Sequence, residues 1–244
     1  MCEIVAAAWP EPRPLMGLLE RAMQVERFGI DGFGWGVAWL DDVDRGAGSR
    51  VRGYRSVRSL ADDADGRRRL GPVTSQRFVI HLRRPSLLST IDLADTQPFV
   101  ADAGRFALAH NGRFDRHESF RARHADRLSG RADSEVGFRV FERLVGDGAP
   151  ARSALRRTLH DLGGYGNLVY LGADGELVAL GDHHLNPFWR FELDDGVVAS
   201  TACHSEDDSV FRLVFGDASS PLPVTRDGLS VAGASTATSP STTT

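Results

Sequence analysis

The sequence predicts an α+β protein in which helices pack against antiparallel sheets. Strand-like segments come first, two amphipathic helices follow over residues 133–162, and further strands fill the chain to about residue 200. Two turns, Ala173-Asp174-Gly175 and Asp194-Asp195-Gly196, divide the later strands into hairpins. This order favours helices segregated against antiparallel sheets over regular βαβ alternation.

The first half of the chain alternates short apolar segments with connectors. Residues 3–8 read as a buried strand that Trp9-Pro10 stops, and residues 15–28 carry the apolar stripe of a helix. A glycine-rich passage at 29–36 permits close backbone approach. The remaining predictions are strands at 37–40, 50–56 and 78–83, a polar turn at 41–49, a surface helix at 60–70 and a long loop at 85–98. Such a long loop favours a functional role.

The second half contains the two helices and the later strands. Residues 106–110 predict a strand that ends at the turn dipeptide Asn111-Gly112, and 113–128 a short helix plus loop. Helices follow from the cap Asp133 and over 151–162, and strands at 167–171, 176–180, 188–193 and 197–200. We expect one domain over residues 2–226 and a disordered Ser/Thr-rich tail over 227–244.

Composition limits the classes of function. The chain has 244 residues, 41% of them hydrophobic and 25% charged, a formal net charge of −4 and a pI of about 6.1. Nothing in this balance indicates a nucleic-acid or membrane partner. All 29 basic residues are Arg, which we attribute to codon bias. Two cysteines suit a reducing cytosol, and no signal peptide or spanning segment is visible, so a cytoplasmic location is expected.

The Met1-Cys2 start predicts a nucleophile. Removal of Met1 would leave Cys2 with a free α-amine beside its thiol. The reference pKa values are ~7.7–8.0 for the amine and ~8.5 for the thiol, so the amine can take the thiol proton. The alternative is a small buried Cys at the start of a strand.

Four further segments accompany Cys2: the glycine-rich segment with Trp35, His81-Leu82-Arg83, His110-Asn111-Gly112 and Asp133-Ser134-Glu135. In this order the chain resembles the class II glutamine amidotransferases, which are N-terminal-nucleophile hydrolases. The resemblance covers roughly residues 2–215. It is strongest to small stand-alone members, such as the γ-glutamyl amidohydrolase of ergothioneine biosynthesis. It implies a four-layer αββα sandwich, glutamine or a γ-glutamyl amide as substrate, and no cofactor or metal.

The resemblance also implies roles for individual residues. Cys2 is the nucleophile, and the side-chain amide of Asn111 and the backbone N–H of Gly112 stabilise the oxyanion. Arg83 binds the substrate α-carboxylate and Asp133 the α-ammonium. His81 and Trp35 are further substrate-binding candidates.

Each of these residues also has a purely structural interpretation. Asn111-Gly112 suits a plain hairpin and Asp133 a helix N-cap. Arg83 could be a surface residue at a strand end, His81 could hydrogen-bond within its strand region, and Trp35 could belong to the core.

Several positions depart from the family pattern. Position 3 is Glu where the ergothioneine-type members usually have Arg, Gln97 replaces a His, and Arg84-Pro85 is unusual beside Arg83. These departures leave the particular substrate open. No synthase-like segment follows the amidase-like part, so an ammonia acceptor is expected on a separate enzyme.

Two function hypotheses follow. The first is an amidohydrolase that forms a thioester on Cys2. The second is a catalytically idle relative that binds a glutamyl ligand or a partner protein. A third hypothesis is metal-dependent hydrolysis by Asp182, His183 and His184. We disfavour it because adjacent residues of a strand point to opposite faces and therefore rarely share a metal ion.

Overall fold

The computed structural model describes residues 2–29, 32–42, 48–203, 205, 208–216 and 218–233. Within these residues the strands form two sheets, and every strand pair is antiparallel. The first sheet has the order β11 (Leu222–Pro223), β9 (Phe188–Leu193), β10 (Gly196–Thr201), β1 (Glu3–Pro14), β4 (Thr74–Leu82), β2 (Trp35–Asp42), β3 (Ser49–Ser56). The second has the order β12 (Leu229–Val231), β8 (Leu177–Leu180), β7 (Tyr165–Gly172), β6 (Phe106–Arg113), β5 (Phe99–Val100).

The α-helices of the described chain cover the outer faces of both sheets. They are α1 (Met16–Phe28), α2 (Ala64–Leu70), α3 (His117–Arg121), α4 (Asp133–Gly146), α5 (Ala151–Leu162) and α6 (Ser209–Phe215). One core joins α1 and α6 to the first sheet, and a second joins α4 and α5 to the second sheet. A third core lies between the sheets. The predicted four-layer α+β architecture with antiparallel sheets is therefore confirmed. None of these helices has the length and hydrophobicity that a bilayer span requires.

Strand alternation points polar side chains into one end of the layer between the sheets. Ile4 of β1 and Ala109 of β6 both belong to the core between the sheets. Because side chains two residues apart share a face, Cys2 lies on the same side as Ile4, and Asn111 on the same side as Ala109. The apolar layer thus gives way, at this end, to the predicted nucleophile and the predicted oxyanion donor.

The helix predicted over residues 60–70 begins later than expected. Leu60 and Ala61 donate their backbone N–H groups to the Glu26 carboxylate at 3.0 and 2.9 Å. Asp63 then caps α2 by accepting the N–H of Gly66 at 3.0 Å. The Glu26 carboxylate therefore holds residues 60 and 61 in the segment before α2, and the helix begins after its cap at Asp63.

The end of the chain also differs from the expectation. The predicted tail was to begin at 227, but β12 pairs Leu229 with Ala179 and Val231 with Leu177 at the edge of the second sheet. Edge pairing orders a segment whose composition suggested disorder, because it satisfies backbone groups whatever the side chains are. Residues 234–244, the rest of the predicted tail, lie outside the described residues.

A buried arginine joins the two sheets at the end away from Cys2. Arg77 of β4 is only 5% exposed. Its guanidinium donates to the carbonyl of Trp9 in β1 at 2.8 Å, to that of Gly175 between β7 and β8 at 3.0 Å, and to that of Ala232 after β12 at 3.1 Å. One side chain therefore satisfies carbonyl groups from both sheets.

We predict that Arg77→Ala lowers the free energy of unfolding by at least about 3 kcal/mol, because it removes the charge-assisted bonds that the guanidinium donates and leaves buried carbonyls without donors. Urea unfolding measures this. Arg13→Ala is the control: its guanidinium is exposed and bonds Asp194, and its loss should cost at most about 1 kcal/mol. Equal urea midpoints for the two variants would rule out the bridging role of Arg77.

Candidate active site

A cleft of about 380 Å³ opens at the polar end of the layer between the sheets. Five of the predicted site residues line it: Cys2, Arg83, Asn111, Gly112 and Asp133. They come from the start of β1, the end of β4, the end of β6 and the start of α4. Segments far apart in sequence thus meet at one place.

The Cys2 thiol lies against the backbone of Arg84. Its Sγ accepts the Arg84 N–H at 3.2 Å and lies 3.5 Å from the Arg84 carbonyl oxygen. Burial raises the pKa of the Cys2 thiol, while the Arg84 N–H and the Arg83 guanidinium oppose that rise. Ionisation of the thiol therefore depends on further help from a nearby base.

Arg83 follows directly on β4 and is only 4% exposed. Its backbone is held by Phe33 N–H and by the carbonyl of Gly34, at 2.7 and 2.8 Å. One guanidinium nitrogen, Nη2, donates to Thr90 Oγ1 at 3.1 Å, and Nη1 has no partner among the described residues. Burial lowers the pKa of Arg83, with the Cys2 thiol and Asp95 opposing. The guanidinium keeps donors that can serve a carboxylate in the cleft.

Asn111 and Gly112 lie inside a strand, and the turn predicted for this dipeptide is not formed. Asn111 faces Asn167 and Gly112 faces Gly166 in the ladder between β6 and β7. A Cβ atom on Gly112 would lie 2.1 Å from the carbonyl oxygen of Tyr165, so this close approach requires glycine. The Asn111 amide is 1% exposed, and neither its oxygen nor its nitrogen has a partner among the described residues. A buried amide without partners is costly, and is typical of a group that meets a ligand.

Asp133, which the sequence predicts to be the cap, is the first residue of α4, and Ala132 occupies the N-cap position. Its Oδ2 accepts the N–H of Phe114 at 2.7 Å, and its Oδ1 accepts the N–H of Ser134 at 2.9 Å. An ionised carboxylate has about four acceptor positions. Asp133 can therefore bind a cation in the cleft while it holds the end of β6 to the start of α4.

Two other carboxylates fix the segment before Asp133. Asp95 Oδ1 accepts the N–H groups of Arg131 and Ala132 at 2.6 and 2.7 Å. Glu135 accepts those of Ser129 and Gly130, each at 2.8 Å. The segment that leads to Asp133 is therefore held in place by backbone N–H groups that donate to buried carboxylates.

Gln97 and His110 connect the long loop to β6, a role that the sequence did not predict. The Gln97 amide accepts the His110 N–H at 2.7 Å and donates to the His110 carbonyl at 3.1 Å. The His110 ring nitrogen Nδ1 lies 2.9 Å from Ser134 Oγ and its ring stacks on Phe114. The replacement of a family His by Gln97 thus supplies a two-point contact that extends the sheet edge.

His81 and Trp35, the other predicted binding residues, do not line the cleft. Both are 0% exposed. Trp35 lies in the core under α1, where its indole donates to Asp63 Oδ2 at 3.0 Å. Burial, and to a lesser degree Arg83, lower the pKa of His81 to about 3, so its ring is neutral near pH 7. Their buried positions indicate structural roles, and we do not include either residue among the proposed substrate-binding residues.

The structure does not form a metal site from Asp182, His183 and His184, the residues of the third hypothesis. His183 and His184 both pack edge-on against Tyr165, with their rings 6.3 Å apart. Asp182 is paired with Arg226 at 2.6 Å. In the described part of the chain, no group of three or more His, Cys, Asp or Glu side chains is placed to hold a metal ion.

Glu3, the residue after Cys2, is buried beside the cleft at 4% exposure. Its Oε2 accepts the Asn186 side-chain amide at 3.0 Å and the Thr201 hydroxyl. Burial raises the pKa of Glu3 to about 7, against the opposing effect of those hydrogen bonds. The carboxyl is therefore largely neutral below pH 7.

Comparisons with known proteins fit this arrangement. The family model described as "Glutamine amidotransferases class-II" matches residues 15–196. No curated protein gave a significant match. A glutamine phosphoribosylpyrophosphate amidotransferase from B. subtilis, complexed with ADP and GMP, is similar in structure over 95% of this chain and 49% of its own, with a TM-score of 0.69 and 16% identity.

Two further solved structures are similar. One, described as the allosteric regulatory enzyme of purine biosynthesis, has a TM-score of 0.66 and 15% identity, over 92% of this chain and 45% of its own. A glutamine aminotransferase class-II domain protein from Silicibacter pomeroyi has a TM-score of 0.55 and 22% identity, over 82% and 88%. The chain spans about half the length of the first two. At these identities the likenesses establish the fold.

The raised pKa of Glu3 predicts a stability change with pH. Because the folded-state pKa of about 7 exceeds the ordinary value of 4.5, the stability that Glu3 contributes is fully present below pH 4.5 and is lost as pH rises through 7. Glu3→Gln removes this ionisation. We expect its stability relative to the native protein to improve by up to about 3 kcal/mol between pH 4.5 and 8.

Urea unfolding of both proteins across this pH range measures the difference. Glu11→Gln, at an exposed position of β1, is the control, and its difference from the native protein should stay flat. If the Glu3→Gln difference is also flat, Glu3 does not titrate between these pH values in the folded protein.

Proposed function

The chain belongs to the class II glutamine amidotransferases, and we propose that it cleaves the γ-amide of glutamine or of another γ-glutamyl compound through a thioester on Cys2. One observation carries the proposal: a thiol, a guanidinium, a carboxylate and an amide that has no hydrogen-bond partner among the described residues line a single cleft, and they come from four separate segments. The family match begins at residue 15, so the nucleophile is assigned from the position of Cys2 in the cleft.

In this proposal the charged walls hold the glutamyl head. The Arg83 guanidinium binds the α-carboxylate, and its unpartnered Nη1 supports that role. Asp133 binds the α-ammonium with the acceptor positions that its two backbone bonds leave. Opposite charges on the two walls orient the substrate, so that its γ-amide extends toward Cys2 and Asn111.

The chemistry begins with the removal of Met1, which gives Cys2 a free α-amine. The amine takes the thiol proton, and Sγ attacks the carbonyl carbon of the γ-amide to form a tetrahedral adduct. Asn111 and the Gly112 N–H stabilise the oxyanion. The C–N bond then breaks, and the nitrogen leaves with that proton as ammonia or an amine. Water, deprotonated by the same amine, cleaves the thioester, releases glutamate and restores the thiol.

The two substrate classes imply different partners. If glutamine is the substrate, the released ammonia requires an acceptor enzyme, which we expect to be a separate chain. If a larger γ-glutamyl compound is the substrate, the released amine is itself the product. The likeness to the ergothioneine-type enzymes favours the second class and remains a prediction.

The second candidate is a catalytically idle protein that binds a glutamyl ligand or a partner protein. The burial that raises the pKa of the Cys2 thiol favours it, since a thiol that stays protonated is a poor nucleophile. Exposure of the α-amine of Cys2 separates the two candidates, because only the first needs that group.

We predict that activity appears only when Cys2 is the first residue. A fusion with a cleavable segment before Cys2 should be inactive, and proteolysis that exposes the Cys2 amine should start turnover of glutamine or γ-glutamyl amides. Cys2→Ala, processed in the same way, should remain inactive. Equal turnover before and after proteolysis would refute the amine-assisted mechanism. Ligand binding without turnover in the processed protein would favour the idle alternative.

We predict that Arg83→Lys raises the KM for γ-glutamyl substrates about 10- to 100-fold with a smaller change in kcat, because an ammonium cannot bind a carboxylate in two-point fashion. Kinetics with glutamine and with an analogue that lacks the α-carboxylate measure this. The analogue should be turned over equally poorly by both proteins. Arg113→Lys, an exposed rim residue paired with Asp115 at 3.1 Å, is the control. Equal losses for both substrates would show that Arg83 does not bind the carboxylate.

A further inference from the structure

The sequence contains only three asparagines, and all three lie at the catalytic end of the molecule. Asn111 and Asn167 are directly opposite each other in the ladder between β6 and β7. Directly opposed residues point to the same face, so both asparagines face the first sheet. Asn186 lies on residues 181–187, which lead from β8 in the second sheet to β9 in the first.

Hydrogen bonds connect these asparagines to the nucleophile strand. The Asn167 side-chain amide donates to the Asn186 carbonyl at 2.8 Å. The Asn186 side-chain amide in turn donates to the carbonyl of Cys2 at 3.2 Å and to Glu3 Oε2 at 3.0 Å. Asn167 and Asn186 are both 0% exposed, so water does not compete for these bonds. The contacts run from β7, which pairs with the strand of the oxyanion donor, to the backbone of the nucleophile.

Cys2 needs such a contact because the sheet does not hold it. The ladder between β1 and β4 begins at Glu3, and that between β1 and β10 begins at Val5. Cys2 therefore precedes the first paired residue on both sides. Its other hydrogen-bond contact among the described residues is to the backbone of Arg84. Without Asn186 its carbonyl would lose the bond that ties it toward the second sheet.

We propose that Asn186, supported by Asn167, is a positioning residue that sets the separation between Cys2 and the Asn111-Gly112 strand. This inference rests on the proposed function, in which the thiol and the oxyanion donors act on the same γ-carbonyl from opposite sheets. A shift of about 1 Å in the position of a reacting group can lower the rate of the chemical step about 100-fold. In that function Arg83 and Asp133 hold the glutamyl head, whereas the side-chain hydrogen bonds of Asn186 given above go to Cys2 and Glu3.

The competing explanation is that Asn186 only satisfies buried backbone groups of the crossover segment. Its own N–H is bonded to His183 Nδ1 at 3.1 Å, so the segment has local structure of its own. A purely structural role predicts lower stability and an unchanged kcat for the folded fraction. A positioning role predicts a lower kcat at nearly constant KM.

The test compares Asn186→Ala, Asn167→Ala and the double variant in the processed enzyme. We expect Asn186→Ala to lower kcat about 10- to 100-fold with KM within about 3-fold of the native value. Asn167→Ala should have a smaller effect, and the double variant should resemble Asn186→Ala, because Asn167 acts through Asn186. The Asn167 amide donates to the Asn186 carbonyl rather than to Cys2 or Glu3, so its variant tests the proposal even if Asn186→Ala does not fold.

Two measurements separate positioning from general loss of structure. Alkylation of Cys2 by iodoacetamide should proceed at nearly the native rate in Asn186→Ala, while labelling by a γ-glutamyl electrophile should slow in parallel with kcat. Arg77→Ala, which weakens the opposite end of the layer between the sheets, should retain native kcat well below its melting temperature. An unchanged kcat in Asn186→Ala would overturn the inference. A kcat that also falls in Arg77→Ala, in proportion to the loss of stability as in Asn186→Ala, would overturn it as well. Absence of turnover in the native processed enzyme would instead refute the proposed function, and this inference with it.

Discussion

The face-to-face packing of two sheets, with the nucleophile strand at the centre of one of them, is the constraint on which the site depends. β1 lies between β10 and β4, and its inward side chains meet those of β6 and β7. Much of the layer between the sheets is alanine, which lets the two backbones approach closely. Because alternation is strict, the same strands that bury Ile4 and Ala109 carry Cys2 and Asn111 into the cleft. The cleft is the continuation of the core, with polar groups in place of apolar ones.

Burial at this end of the molecule separates groups that stay neutral from groups that carry charge. Glu3 has its pKa raised to about 7 and His81 has its pKa lowered to about 3, so near neutral pH the His81 ring carries no charge and Glu3 is only partly ionised. Neither group then adds a full charge beside Arg83 and Asp133, the residues that the proposal assigns to the substrate. An ionised Glu3 would also raise the pKa of the neighbouring thiol. A carboxyl that holds its proton up to neutral pH therefore opposes thiolate formation less than an ordinary glutamate would.

The sequence predicted the members of the cleft better than their geometry. The short motifs identified Cys2, Arg83, Asn111 and Asp133 in the sequence. The structure places these residues in one cleft, because each lies at the end of a strand or the start of a strand or helix. The sequence predicted a turn at Asn111-Gly112, since the local dipeptide favours one, but β7 arrives more than fifty residues later and extends the strand. Trp35 was predicted at the site from its glycine-rich neighbours, whereas alternation turns it to the helix side of the sheet. No local spacing could have indicated Asn186, because its partners are set by how the chain crosses between the sheets.

Two polar contacts at opposite ends hold the sheets in relation to each other, and their chemistry differs in a way that suits their positions. At the end away from Cys2, the Arg77 guanidinium donates to carbonyls of both sheets. Several bonds from one charge hold the sheets together and tolerate small movements of one sheet relative to the other. At the catalytic end the donors are neutral amides, whose directional bonds go to the carbonyls of Asn186 and Cys2 and to Glu3. Alanine methyl contacts are non-directional, so they constrain the register of one sheet on the other less closely than a hydrogen bond does. A directional amide beside the nucleophile defines it without adding a charge that would compete with Arg83 for the substrate carboxylate.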